Sequence, residues 1–385
     1  MNPLPAIVIL MVLNHIAFGG GRVTVTLFAL DQRASALTVG LLLALYAALP
    51  AIVSVRAGRW IDREGMQRPM LLGSLGVGLS TLIPALIPGL VPLYVSSVLG
   101  GVAFMLVNVA AYHAVGELST PEDRPVNFSY IALGFSISSF IAPILAGVAI
   151  DNFGHRIAFA LLALFTLLPI AGLAMRLIDF PKPTPHDQTD HAGSVFELLK
   201  DPVMRRLFIT MAMLTVAWDV YGFAIPVRGS ELQLSASKIG VVMGAFAAAT
   251  FTIRLAIPFM VTRMRPWTLL SAALLTAGVS FIALNFAQST GTMMVCVFFL
   301  GLGLGAPQPM MLTLLHESAP KGRAAEAVGL RTTLINGSQT LMPILFGAVG
   351  TVLGVLPLFW AIGLTLLGGG FFARNMAQSH RSALD

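Results

Sequence analysis

The chain has 385 residues, of which 56% are hydrophobic and only 10% charged, with a formal net charge of +6. Soluble domains carry roughly 25% charged residues, so this composition excludes a water-soluble globular fold and makes lipid the solvent. The lone cysteine, Cys296, excludes an intramolecular disulfide and argues against a cysteine metal site.

A membrane-crossing helix needs about 20 apolar residues. Such stretches fall near 5–29, 37–57, 69–88, 91–115, 129–151 and 156–177, and again near 206–228, 239–261, 267–288, 292–315, 329–352 and 355–374. The leader Met1–Pro5 has no positive charge, so the first helix is not read as a cleavable signal. The second six helices repeat the first at an offset of 200: Ser35/Ser235, Gly40/Gly240, Gly101/Gly301, Glu117/Glu317, Pro143/Pro343 and Gly147/Gly347. The sequence therefore predicts an all-α membrane protein of twelve transmembrane helices in two six-helix bundles related by a pseudo-twofold. The bundles take residues 1–178 and 206–385 and are joined by a polar linker, 179–205. His186, Asp187, Asp190 and His191 of the linker are too loosely spaced to read as a metal site. Fifteen of the 23 lysines and arginines fall on the side of both termini, four on the other side, and four within or at the ends of helices. That bias sets both ends in the cytoplasm, and it accounts for the net charge without nucleic acid.

Along the chain, Asn14, Arg22 and Thr26 share one side of the first helix, with His15 beside them. After the second helix comes Gly58-Arg59-Trp60-Ile61-Asp62-Arg63-Glu64-Gly65-Met66-Gln67-Arg68. Here Gly58 would let two helices approach, and Asp62 would cap a helix start and pair with arginines. Ser97, Gly101, Asn108 and Tyr112 recur at helical spacing on the fourth helix, which Glu117 and Arg124 follow. The fifth carries a small-residue face, Gly134, Ser138, Ala142, Pro143, Ala146 and Gly147. In the second half, Thr215, Trp218, Asp219, Tyr221 and Pro226 mark the seventh helix, and Arg254 the eighth. Gln308 lies within GLGLGAPQPMM of the tenth, which Glu317 and Arg323 follow. Thr332, Asn336 and Gln339 line the eleventh.

Charges inside a membrane cost about 2.5–3.5 kcal/mol at a helix centre and usually face a cavity or a partner. Arg22 and Asp219 are the two that stand out. By the offset, Asp219 matches position 19, so their depths differ by three residues, about 4.5 Å of rise. Burial favours the neutral form of a carboxyl and a neighbouring arginine the charged form. Asp219 is therefore read as the proton carrier. Arg22 is its switch or the anchor of an anionic substrate group, the two meeting directly or through water. Arg254 is read as an anion contact or as a side chain snorkelling to the interface.

The Gly58–Arg68 segment resembles the loop 2–3 motif of the major facilitator superfamily, departing from it at Met66 and Gln67. The resemblance implies the major facilitator fold for the whole chain, with the first and seventh helices facing each other across a central cavity. It implies a cytoplasmic gate built by Gly58, Asp62, Arg63, Gly65, Arg68, Glu117, Arg124, Glu317 and Arg323. The fifth-helix face, Gly134, Ser138, Ala142, Pro143 and Gly147, resembles the family's antiporter motif, with Ser and Ala replacing glycines. The family's fourth-helix arginine is replaced by Ser97. The expectation is a monomeric secondary transporter of the bacterial inner membrane. It needs no cofactor or metal and draws on the proton gradient to export small drug- or metabolite-like molecules by alternating access. Proton-coupled uptake of an organic anion is the alternative, and a membrane receptor or enzyme without transport a remote one. No phosphate-binding GxxxxGK[ST] loop occurs.

Overall fold

The computed structural model describes residues 3–120, 123–178, 180, 199–261, 266–307, 311, 315 and 324–379. Most of the 179–205 linker, together with Gln308, Glu317 and Arg323, lies outside them. Helices α1 (Pro3–Asp31), α2 (Ala36–Glu64), α3 (Gln67–Leu86), α4 (Leu90–Leu118), α5 (Arg124–Leu164) and α6 (Leu167–Ala174) form the first half. Helices α7 (Pro202–Glu231), α8 (Ala236–Val261), α9 (Pro266–Leu284), α10 (Thr290–Gly305), α11 (Ala324–Leu353) and α12 (Leu356–Ser379) form the second. Eight described segments are long and apolar enough to cross a membrane; one of them, Val126–Ala174, contains two passes, because α5 breaks at Gly154. Gly154 sits at φ 78°, where a side chain would be strained. The fifth pass therefore ends there, and the rest of α5 with α6 makes the sixth. Large side chains such as Ile52, Phe259 and Val352 are 71%, 76% and 80% exposed on the outside of the bundles. In water these would be liabilities; in lipid they are the expected surface.

Two helix ends depart from the sequence-based bounds for local reasons. Helix α2 runs two turns past residue 57 and takes Gly58–Arg63 with it, ending at Gly65 with φ 81°. Asp62 is thus inside α2, and the position preceding α3 is Met66, which makes no side-chain capping bond. Helix α7 starts at Pro202 rather than 206, since Asp201 accepts hydrogen bonds from the Val203 and Met204 amides at 2.7 and 3.1 Å. Asp then Pro is a strong helix start. Helix α10 is described as far as Gly305.

The repeat has a structural meaning at each matched position. Ser35 and Ser235 cap α2 and α8, accepting from the Thr38 amide at 3.2 Å and the Lys238 amide at 3.4 Å. The bundles meet through α2–α11 and α5–α8. At the first contact a side chain on Gly40 would strike the Pro343 carbonyl, and one on Gly347 the Ala36 carbonyl. At the second, Gly240 and Gly147 stand in the same relation to Pro143 and Ala236. Missing side chains let backbones touch, which is how helices bind each other where lipid removes the hydrophobic incentive. Hydrogen bonds finish both contacts. Asp151, at the end of the fifth pass, accepts from the Ala236 and Ser237 amides at 3.0 and 2.8 Å. Thr351, its image at the offset, accepts from the Leu37 amide at 2.9 Å. All of these lie towards the face opposite the chain termini, and they close that side of the molecule.

Candidate functional site

A cavity of about 640 Å³ lies between the bundles, walled by α1, α2, α4 and α5 on one side and α7, α8 and α11 on the other. Its lining reaches Ser54 on α2, Val109 on α4 and Thr332 on α11, so it extends towards the face that carries the termini. Glycines build its walls. Gly101 of α4 presses against the backbone of Tyr46 on α2, and Gly301 of α10 against that of Phe246 on α8. Each pressed residue holds an aromatic ring at the cavity. Tyr46 meets Phe18 edge-on at 5.5 Å and 85°, and Phe246 meets Trp218 at 5.0 Å and 77°. Phe18/Trp218 and Tyr46/Phe246 are again 200 residues apart, so the two halves present the same aromatic corner to the cavity. Tyr221 stacks on Phe246 at 3.7 Å and donates its hydroxyl to the Met243 carbonyl at 3.2 Å.

The charges break this symmetry. Arg22 projects from α1 with its guanidinium carbon 5.6 Å from the Tyr46 ring centroid, a cation–π contact. Its image is Gly222, which has nothing within 4 Å of where a side chain would start. Asp219 lines the opposite wall, on α7, and accepts a 2.5 Å hydrogen bond from Ser338 of α11. Its image is Gly19. Each half thus carries one charge where the other carries glycine. Among the described residues, no ion pair within 4.0 Å joins Arg22 to Asp219 or to another carboxylate. The direct pair considered from the sequence is not made among the described residues; the two charges line the same cavity.

Ser338 was missed in the sequence, although the offset leads to it. Its image Ser138 lies 2.6 Å from Nδ1 of His15 on α1. In both halves the serine therefore holds a titratable group of the bundle's first helix. His15 lines the cavity and packs against Phe135, edge-on at 4.6 Å, and Phe104 at 5.3 Å. Asn108, Asn336, Gln339, Trp218 and Tyr221 also reach the cavity, as expected. Asn14 does not. It is fully buried and donates to the Leu10 carbonyl at 2.9 Å and to Ser74 at 3.1 Å, fastening α1 to α3. Tyr112 lies outside the lining, 40% exposed and stacked on Phe128. Arg254 neither lines the cavity nor simply snorkels: it donates to Ser136 of α5 at 3.0 Å and ties the bundles together.

A sequence profile described as Major Facilitator Superfamily matches residues 7–228 and again 207–382. The chain belongs to the Major Facilitator Superfamily. Its members are transporters, not enzymes, and this one is a multi-pass membrane protein. It is 22% identical to Tetracycline resistance protein, class D, of Salmonella ordonez over 341 residues, covering 86% of this chain and 84% of that one. It is 23% identical over 341 residues to Quinolone resistance protein NorA of Staphylococcus aureus (strain MSSA476), covering 86% and 85%. A shorter match, 38% over 124 residues, links it to Multidrug resistance protein 2 of Bacillus subtilis (strain 168), covering 32% of this chain and 30% of that one. The fold is also that of a solved peptide transporter POT in complex with sulfate, with TM-score 0.79 at 16% identity, covering 98% of this chain and 94% of that one.

The superfamily motifs divide in the structure. On α5, Gly134 packs against Val12 and Ala142 against Gly19, both inside the first bundle, while Pro143 and Gly147 face α8 of the second. The motif therefore serves two interfaces at once. At the terminal face, no described residue lies within 4 Å of where a side chain on Gly58 would start. Gly65 and Arg63 end α2, and Arg68 pairs with Glu64 one turn back at 2.6 Å, an exposed pair worth about 0–1 kcal/mol. Glu117 is half-buried in the last turn of α4, and Arg124 opens α5.

Proposed function

We propose that the chain is a proton-driven exporter of small drug- or metabolite-like molecules in a bacterial inner membrane. It works as a single chain with both termini in the cytoplasm and needs no cofactor. The observation that carries this reading is Asp219, a carboxylate on the wall of the central cavity, held by Ser338 and facing Arg22 without pairing to it. A carboxylate so placed takes and releases a proton as the local balance of burial and positive charge changes. Export is supported by the resistance proteins among its relatives.

Residues 1–178 and 206–385 would rock as two halves about the α2–α11 and α5–α8 contacts, with 179–205 as the tether. In the state described, the cavity extends towards the terminal face, and the bias of basic residues supports the cytoplasm on that side. Substrate enters from that side as Asp219 gives up its proton. Opening of the far side then releases the substrate and admits the next proton. The gate residues Gly58, Asp62, Arg63, Gly65, Arg68, Glu117, Arg124, Glu317 and Arg323 would close the cytoplasmic side in that second state. A second reading, proton-coupled uptake of an organic anion, is favoured by one feature: Arg22 has no carboxylate within 4.0 Å among the described residues.

The test is accumulation of fluorescent and toxic compounds in cells lacking their own pumps, with and without a protonophore. Export predicts lower accumulation that both the protonophore and Asp219→Asn abolish. Higher accumulation on expression would reverse the direction.

A further inference from the structure

We propose that the cavity is built for an amphoteric ligand: a small zwitterion with a carboxylate for Arg22, a protonated amine for Asp219, and a flat apolar body between the aromatic corners. This rests on the reading of the cavity as the transport site.

The argument starts from the asymmetry of a symmetric cavity. The aromatic corners Phe18–Tyr46 and Trp218–Phe246 repeat in kind and geometry, and the charges do not. The first half supplies only the cation and the second only the carboxylate, each opposite a glycine of its partner. Gly222 leaves open space in the second half at the position matching Arg22. Both charges line one cavity, and among the described residues no ion pair within 4.0 Å joins either to an opposite charge. A ligand of one sign would satisfy one of them and be repelled by the other inside a low-dielectric enclosure. A purely apolar ligand would leave both desolvated and unpaired, which is costlier still. A ligand carrying both signs satisfies both and keeps the filled site neutral. The charges stand at helix depths differing by about 4.5 Å, so the ligand's two charged groups must be separated rather than share one end.

This ligand class also makes exchange follow from chemistry. The amine and a proton compete for the same carboxylate, so binding the amine requires Asp219 to be unprotonated. A proton arriving from the far side neutralises Asp219 and removes the amine's partner. Arg22 holds the carboxylate in either case and gives selectivity rather than coupling.

The test is equilibrium binding to the purified full chain in lipid nanodiscs, without any gradient. The probes are 6-(aminomethyl)-2-naphthoic acid, with its two charged groups at opposite ends of a flat ring system, and its three blocked forms: the methyl ester (cation only), the N-acetyl acid (anion only) and the N-acetyl methyl ester (neutral). The zwitterion should bind at least about tenfold more tightly than either singly blocked form, the factor that ~1.4 kcal/mol for one charged contact represents. Arg22→Gln should erase its advantage over the methyl ester and leave that over the N-acetyl acid. Asp219→Asn should do the reverse. Equal or tighter binding of any blocked form by the wild-type protein, or no binding of the four, overturns the proposal whether or not the variants fold. Because no gradient is used, failure of the export reading would leave this ranking intact, and failure of the ranking would leave gradient-driven export untouched.

Discussion

Asp151 offers a direct way to shift the molecule between its states. Its carboxylate belongs to the first bundle and accepts from two amides at the start of α8 in the second, at 3.0 and 2.8 Å. Helix α8 keeps its own cap, Ser235, so removing the carboxylate does not unravel the helix; the loss falls on the contact between bundles. Deleting a capping side chain costs about 0.5–2 kcal/mol, and losing a negative charge at a helix start costs about 0.3–1 kcal/mol more. The site is exposed, so the lower part of that range applies, roughly 1–2 kcal/mol in all. With about 1.4 kcal/mol per factor of ten, Asp151→Ala should move the equilibrium roughly 5- to 30-fold towards the state open opposite the termini. Spin labels at Asn152 and Lys238, in a Cys296→Ala background, flank the contact from the two bundles. Double electron–electron resonance should show a longer-distance population gaining weight in Asp151→Ala, and gaining again when Thr351→Val removes the image contact. Coincident distance distributions in wild type and the double variant would refute the assignment of these contacts as the closure of that face.

Four other predictions follow from packing and hydrogen bonding. Gly240→Val places branched atoms against the Pro143 carbonyl, and overpacking of about 1–3 kcal/mol should open the same face by the same readout. Gly101→Val drives α4 off the backbone of Tyr46; ligand binding should fall more than thermal stability. Asn14→Ala strips Ser74 of a partner inside the first bundle, costing about 1–3 kcal/mol, seen as a lower Tm with the order of substrates unchanged. Tyr112→Ala, outside the cavity, should leave ligand affinity within about twofold; a tenfold loss would show that the cavity reaches further than its lining indicates.

The offset of 200 was the most legible feature because residues at close approach cannot be exchanged. Gly40, Gly240, Gly147 and Gly347 each meet a backbone carbonyl of the other bundle, so the repeat outlived the divergence of everything around it. Helix ends were less legible. Hydropathy marks where lipid stops, not where a helix stops, and α2 runs on past Arg59, Asp62 and Arg63. The cavity lining was half legible. A helical face can be read from spacing, but a helix in the middle of a bundle has two buried faces. The reading joined Asn14 and Arg22 on one side of α1, whereas Asn14 turns into its own bundle and Arg22 into the cavity. Ser338 went unread because a membrane hydroxyl most often bonds the carbonyl one turn back, as Thr24, Thr26 and Thr215 do here.

The claim that matters most is that Asp219 couples transport to protons. Purified protein in liposomes, with a pH-sensitive dye inside and an imposed substrate gradient, measures this directly. Wild type should move protons against the substrate flux. Asp219→Asn should bind substrate more weakly, and any exchange it supports should carry no proton movement. Substrate-driven proton flux at the wild-type rate in Asp219→Asn would contradict the account.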